Sequence, residues 1–291
     1  MKLYRQISKC VLGGWLSMIS LEAQAVVIRH DVADTRYQVT VSPLPGLARL
    51  YQDGGHGVLI APEWVLTVAH GTFCLRSGSW IEVDGQLAEV AGVYNHPLYR
   101  PQQDHDIALL QLKKAQPFSR AVRLNRQMNE AGQQFQFVGS GGTGTGLSGQ
   151  SVDNADNAGT LRQASNQVEQ AQGNLLYARF DKPPAGTALE GSPGDGDSGT
   201  PIYQARGKKF VLFGLVSRAQ QPFPPIALYD SVDIYTRIAP LEPWIQLVMH
   251  DRSPNDALAS TGHLPYGVSA RQLADVCQQI NFVSPVPTTG N

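Results

Sequence analysis

Short apolar runs separated by clusters of Gly, Pro, Asp and Asn recur along the chain. They include Gly57-Val58-Leu59-Ile60, Trp64 to Val68, Trp80 to Val83, Ile107 to Leu112, Phe135 to Val138, Leu175 to Phe180 and Phe210 to Val216. Each is rich in Val, Ile, Leu and aromatic residues and too short for a helix of ordinary length. Together they predict many short strands, as in a sandwich or a barrel. The period changes late: Leu241, Trp244, Ile245, Val248 and Met249 fall at i, i+3, i+4, i+7 and i+8, one face of a helix. A second possible helix covers Ala270 to Ile280, and the Pro-, Thr- and Gly-rich residues 284–291 predict a loose end. No internal repeat is visible. The expected fold class is all-β, with helix at the C-terminal end.

The first 25 residues follow a different pattern. Lys2, Arg5 and Lys9 precede an apolar run from Val11 to Leu21, and Ala23-Gln24-Ala25 places small residues before a cleavage point. That is the make-up of a secretory signal peptide over residues 1–25. The alternative is a transmembrane anchor, but the run falls short of the ~20 residues a bilayer requires. Cys10 lies ahead of the apolar run, whereas a lipid-modified Cys would follow it. The expectation is an exported chain, secreted or periplasmic, that begins at Val26 and keeps no stable membrane anchor after cleavage.

The 291 residues are 42% hydrophobic and 16% charged, enough to bury a large core and too uncharged for disorder. Loss of Lys2, Arg5, Lys9 and Glu22 takes the formal net charge from -1 to -3, leaving no basic excess for a nucleic-acid partner. Cys74 and Cys277 remain of the 3 cysteines. In an oxidising compartment they could pair, or they could stay as two buried thiols. Gly139-Ser140-Gly141-Gly142-Thr143-Gly144 fits the G-x-G-x-x-G dinucleotide fingerprint. Gly146, Ser148 and Gly149 follow, however, and leave no place for the helix that fingerprint needs, so a flexible surface loop is expected. No cofactor is expected.

Three segments carry chemistry. Val65-Leu66-Thr67-Val68-Ala69-His70 delivers an imidazole at the end of an apolar strand, and Asp106-Ile107-Ala108-Leu109-Leu110 brings a carboxylate into another. Gly196-Asp197-Ser198-Gly199-Thr200-Pro201 sets a hydroxyl in a tight turn. A Ser hydroxyl needs a neighbouring base to become a nucleophile at neutral pH. That base needs a carboxylate to fix its tautomer, and the oxyanion needs backbone N–H donors. Singly, each segment reads as a structural His, a cap or a turn.

In this order the segments resemble the chymotrypsin/trypsin-like serine peptidase family, specifically its secreted bacterial members. Weaker markers agree: Phe137-Val138-Gly139, Gly214-Leu215-Val216-Ser217, and Ile234-Tyr235-Thr236-Arg237 ahead of Pro243-Trp244-Ile245. The resemblance implies two six-stranded antiparallel β-barrels with a C-terminal helix over residues 26–250, followed by an extension at 251–291. It implies Ser198 as nucleophile, His70 as general base and Asp106 as its orienting partner. The N–H groups of Gly196 and Ser198 would form the oxyanion hole. Ser217 would help hold Asp106 and line the substrate channel with Arg218 and Ala219. The ammonium of a freed N-terminus, at Val26 or alternatively Val27, would pair with Asp197.

The departures from the family pattern are specific. Gly71 and Gly194 stand where Cys is common, so the usual disulfides are absent, and a Cys74–Cys277 bridge would take the place of one. Thr200 replaces a common Gly. The first specificity pocket has Ser192 at its base where trypsin-like members have Asp. Asp233 occupies a pocket wall where Gly is usual, and Arg218 replaces an aromatic residue. A carboxylate at 233 could attract a basic side chain or be a solvated turn residue; Arg218 could neutralise it or favour acidic substrates. The expected function is an exported serine endopeptidase, acting as a monomer on protein or peptide substrates through an acyl-enzyme. The alternative is a catalytically silent peptidase-fold protein that binds other proteins. A metal hydrolase built on His96, Asp104, His105 and Asp106 lacks a recognisable ligand spacing, and no metal is expected.

Overall fold

The computed structural model describes residues 26–51, 55–157, 159–221, 223–251, 258–260, 264 and 268–280. The expected signal peptide and the tail at 284–291 lie outside the described residues. Every short apolar run named above falls in a strand to within one residue at its ends, from His56–Ala61 and Trp64–Thr67 to Leu175–Arg179 and Lys209–Ala219.

Six strands close into a barrel in the order Leu47–Leu50, His56–Ala61, Trp64–Thr67, Ala108–Leu112, Gln86–Asn95 and Trp80–Val83. Closure comes from Leu47–Leu50, which pairs antiparallel with both His56–Ala61 and Trp80–Val83. Alternation sets the inside: along Trp80–Val83, Ile81 and Val83 are buried while Trp80 and Glu82 are half-buried. Leu50, Leu59, Val65, Val90 and Leu110 join them in one apolar cluster.

Within a nine-stranded sheet that also holds Gln38–Val39, Val122–Leu124 and Gln170–Gln172, a run of six strands, Leu175–Arg179, Val232–Arg237, Lys209–Ala219, Pro201–Arg206, Gln134–Gly139 and Leu161–Gln167, is antiparallel at each step. Its two ends meet through separate bonds. Glu169 N donates to Tyr177 O at 2.8 Å and Asn166 Nδ2 donates to Arg179 O at 3.0 Å. Phe135, Phe137, Leu176, Ile202, Phe213 and Tyr235 fill it. A small sheet beside it sets Val26–Ile28 parallel to Thr143–Thr145 and antiparallel to Gly191–Ser192, burying Val26, Val27 and Ile28.

A third cluster joins the units: Val58, Leu66 and Leu109 from the first meet Tyr203, Leu212 and Leu215 from the second. The helix Glu242–His250 lays Trp244, Ile245 and Val248 on this seam, the face that the i, i+3, i+4 pattern selects. The chain then returns to the first barrel. Ala259 enters the seam cluster, Ser260 exchanges backbone bonds with Asn95, and the helix Leu273–Ile280 is tied down by a Cys74–Cys277 disulfide. The thiols are therefore paired, over a sequence separation of 203 residues.

Candidate active site

His70 lies in the 3-10 turn Ala69–Thr72, directly after Trp64–Thr67, and Asp106 lies just ahead of Ala108–Leu112. These strands pair with Thr67 opposite Ala108, so the register brings two residues 36 positions apart to the same end of the barrel. His70 N donates to Asp106 Oδ1 at 2.9 Å, and His70 Nδ1 lies 2.7 Å from Asp106 Oδ2. From the second unit, Ser217 Oγ donates to Asp106 Oδ2 at 2.6 Å and Thr236 Oγ1 donates to the Asp106 carbonyl at 2.8 Å. Burial alone would raise the carboxyl of Asp106. The charge of His70 and the hydrogen bonds from His70 and Ser217 outweigh it and hold Asp106 below its ordinary 3.8. The carboxylate is thus kept ionised while buried.

Ser198 completes the line, with Oγ 2.7 Å from His70 Nε2. Its turn is held from both units: His56 N donates to Ser198 O at 2.7 Å, and Gly199 N donates to Val216 O at 2.8 Å. Gly196 has φ +88, and a Cβ there would lie 1.9 Å from Asn154 Nδ2, so only glycine fits. His56 and Asn154 carried no signal in the sequence. The His56 ring is fully buried, with Nδ1 3.2 Å from Gly196 O and Nε2 3.1 Å from Ser140 Oγ. Burial, assisted by the charge of Arg49, pushes it down to about 3, so it is neutral. A neutral ring facing a carbonyl must donate from Nδ1, and its Nε2 then accepts from Ser140. His56 is a strut under the Ser198 turn.

The glycine run at 139–144 is not the flexible surface loop expected from its composition. Ser140 is 1% and Thr143 0% exposed, and Thr143–Thr145 is a strand. Close approach is the physical reason. A Cβ on Gly139 would fall 2.1 Å from Asp197 Oδ1, and one on Gly141 would fall 2.6 Å from Asp195 O. Gly141 N donates to Asp197 Oδ1 at 2.8 Å and Gly194 N to Asp197 Oδ2 at 2.9 Å. Asp197 is fully buried, and burial raises it to about 7 against those donors. Val26, its expected partner, is not among its bonded neighbours. Val26 lies opposite Thr143, two residues beyond Gly141.

The expected specificity residues come together in one place. A cavity of about 180 Å³ opens beside Ser198 and is lined by Gly194, Ser217, Arg218, Ala219 and Asp233, among others. Ser192 stands behind Asp233 and donates to its Oδ2 at 2.8 Å. Burial, with a further push from the charge of Glu190, raises Asp233 to about 7 despite that bond. Arg218 does not neutralise it: the ladder places Arg218 opposite Ile234 and Ala219 opposite Asp233. A second cleft, about 390 Å³, runs from the other side of Arg218 past Ser217 and His70 to Phe73, Tyr99 and Gln102. A roomier recess of about 540 Å³, lined by Val41, Arg49, Glu82 and Leu161, has His56 in its wall but is bordered by none of Ser198, His70 and Asp106.

The residues weighed as metal ligands do not converge. His96 stacks on His105 at 4.5 Å between centroids and leans on Trp244, Asp104 accepts from Asn174, and Asp106 is engaged by His70. Among the described residues no group of three His, Cys, Asp or Glu could hold a metal ion.

A closed six-stranded barrel, a second unit curled around a run of six antiparallel strands and a short closing helix, with Ser, His and Asp aligned where the units meet, define the trypsin-like two-barrel class. A family model described as trypsin matches residues 35–245, and the chain belongs to that family of serine peptidases. Human granzyme M is 28% identical over 234 residues, covering 70% of this chain and 84% of the relative. Two further similarities are local. Trypsin of Simulium vittatum is 34% identical over 91 residues, 28% of this chain and 36% of the relative. Human kallikrein-2 is 34% identical over 90 residues, 23% of this chain and 33% of the relative. Peptidases of this family act on protein or peptide substrates. No described helix is long and apolar enough to cross a membrane.

Proposed function

We propose that the chain is an exported serine endopeptidase. Ser198 attacks the peptide carbonyl as His70 takes its proton. Asp106 holds the imidazole with Nδ1–H toward itself and stabilises the imidazolium. The N–H groups of Gly196 and Ser198 meet the oxyanion, and the acyl-enzyme is then hydrolysed with His70 as acid and base in turn. The observation that carries this reading is the unbroken line from Ser198 Oγ to His70 Nε2 and from His70 Nδ1 to Asp106, both steps at 2.7 Å.

Two finer elements belong to the proposal. Removal of residues 1–25 frees the Val26 ammonium beside the Gly141–Asp197 contact, giving a buried carboxylate a counter-charge. Asp233, buried in the cavity wall without a cation, favours a Lys or Arg side chain entering from the substrate.

A fluorophosphonate probe tests the reading by intact mass. One adduct on the exported protein and none on Ser198→Ala is the expected result. No adduct on folded protein beginning at Val26 or Val27 would leave a protein-binding module instead.

A further inference from the structure

Arg218 lines both clefts at the site, the cavity beside Ser198 and the larger cleft beyond His70. Its one side-chain hydrogen bond among the described residues is a long one, Nη1 to Ser217 Oγ at 3.4 Å. Among the described residues no carboxylate lies within 4 Å of it, although eight other basic side chains have such partners. A half-buried arginine with five donors in a planar fork, facing a cleft and short of acceptors, is a ready carboxylate receptor. Asp233 is the nearest candidate for an internal partner along the strand ladder, and it is bonded to Ser192.

Chain geometry supplies the ligand. A peptide lying extended against Ser217, Arg218 and Ala219 turns successive side chains to opposite faces. With one side chain in the 180 Å³ cavity, its neighbour on the peptide is directed toward the cleft that His70, Tyr99 and Arg218 share. Phe73, Tyr99, Gln102 and Gln103 give that cleft aromatic and amide-bearing walls, its one carboxylate, Asp106, is taken up by His70 and Ser217, and Arg218 is its cation without a carboxylate partner among the described residues.

We infer that Arg218 is a specificity-determining residue that receives an acidic side chain, Glu or Asp, of the substrate close to the scissile bond in the cleft beside His70. The inference rests on the peptidase reading and narrows its substrate class to peptides with a carboxylate near the cut. Arg218 has one other conceivable duty: through Ser217 Oγ it reaches the group that donates to Asp106. A supporting role of that kind would alter turnover of all peptides by the same factor. A receptor role alters the ratio between an acidic peptide and its neutral isostere.

The test is a set of fluorogenic peptides matched except for Glu, Gln or Lys at each of the positions flanking the cut. The wild type is expected to prefer Glu at one position by about tenfold in kcat/KM, the worth of one charge-assisted bond. Arg218→Gln should bring that ratio to about one, Arg218→Lys should keep part of it, and Arg218→Glu should invert it toward Lys at the same position. Equal ratios in wild type and Arg218→Gln overturn the inference while leaving the peptidase reading intact. Binding of the same Glu and Gln peptides to Ser198→Ala, followed by fluorescence anisotropy, reads the selectivity without turnover. An inactive wild type that still binds the Glu peptide tenfold better, through Arg218, would sink the peptidase reading and with it the role of Arg218 in cleavage, leaving a carboxylate-binding cleft alone.

Discussion

Asp233→Asn exchanges a buried carboxylate for a neutral group of nearly the same shape that can still accept from Ser192 Oγ. In the folded chain Asp233 is 4% exposed and burial raises its carboxyl from an ordinary 3.8 to about 7. An acid whose folded value lies above its unfolded value is protonated longer in the folded state. Folding stability therefore falls as pH climbs from about 4 to about 7 and is flat beyond. At about 1.4 kcal/mol per pH unit, the full cost to the wild type above pH 7 is about 4 kcal/mol, an upper value before local relaxation. The variant carries none of it. Urea unfolding in a Ser198→Ala background, which prevents self-cleavage, should find the two proteins alike at pH 4. By pH 8 the variant should be more stable by about 2–4 kcal/mol. With a slope of about 3 kcal/mol per molar, that is a midpoint higher by about 1 M. Asp197 and Glu190 remain in both proteins, so the difference between the curves isolates residue 233. Parallel midpoint-against-pH curves, or a variant weaker at pH 8, would refute the claim that Asp233 is a buried acid without a counter-charge.

Two further outcomes follow from the geometry. Asp106→Asn should lower kcat on a peptide substrate by about 10⁴-fold at pH 7, because an amide no longer selects the imidazole tautomer with a free Nε2 lone pair. A loss below about tenfold in protein with unchanged circular dichroism would remove Asp106 from the mechanism. Replacing Cys74 and Cys277 together by Ser opens a covalent loop spanning 203 residues. Loop entropy sets the upper limit of the destabilisation at about 5 kcal/mol in chemical unfolding. An unchanged unfolding midpoint would mean that the extension contributes nothing to the stability of the barrels.

What the sequence disclosed depended on how local its cause was. Strands bounded by turn residues, the helix face at Trp244, Ile245 and Val248, and the Ser, His and Asp segments are all written within a few residues of themselves. Long-range close approach is not. The glycines at 139 and 141 read as looseness, yet they are small because Asp195 and Asp197, more than 50 residues later, press against them. His56 sits in an ordinary apolar strand, and only the packing of Ser140 and Gly196 around its ring makes it a strut. The buried ion pairs Arg162–Asp34 and Glu130–Arg237 were equally silent, since each joins residues at least 107 positions apart. Arg218 and Asp233 were visible as neighbours in a pocket. Their failure to neutralise each other is a matter of strand register, which single residues do not carry.

The division of labour between the two units explains why the site is placed on their seam. His70 and Asp106 come from the first barrel, and Ser198, Ser217 and Thr236 come from the second. Neither unit alone satisfies Asp106, which takes two bonds from His70 and one from Ser217, with Thr236 on its carbonyl. The Ser198 turn is likewise fastened by His56 on one side and Val216 on the other. Separating the units would strand a buried carboxylate and release the Ser198 turn together, so the apolar seam around Leu66, Leu109 and Leu215 is a condition of the proposed chemistry as well as of the fold. The helix at Trp244 closes that seam, and the disulfide to Cys74 fastens the chain beyond it to a point four residues from His70. The C-terminal segment therefore reinforces the one junction on which the alignment of Ser198, His70 and Asp106 depends.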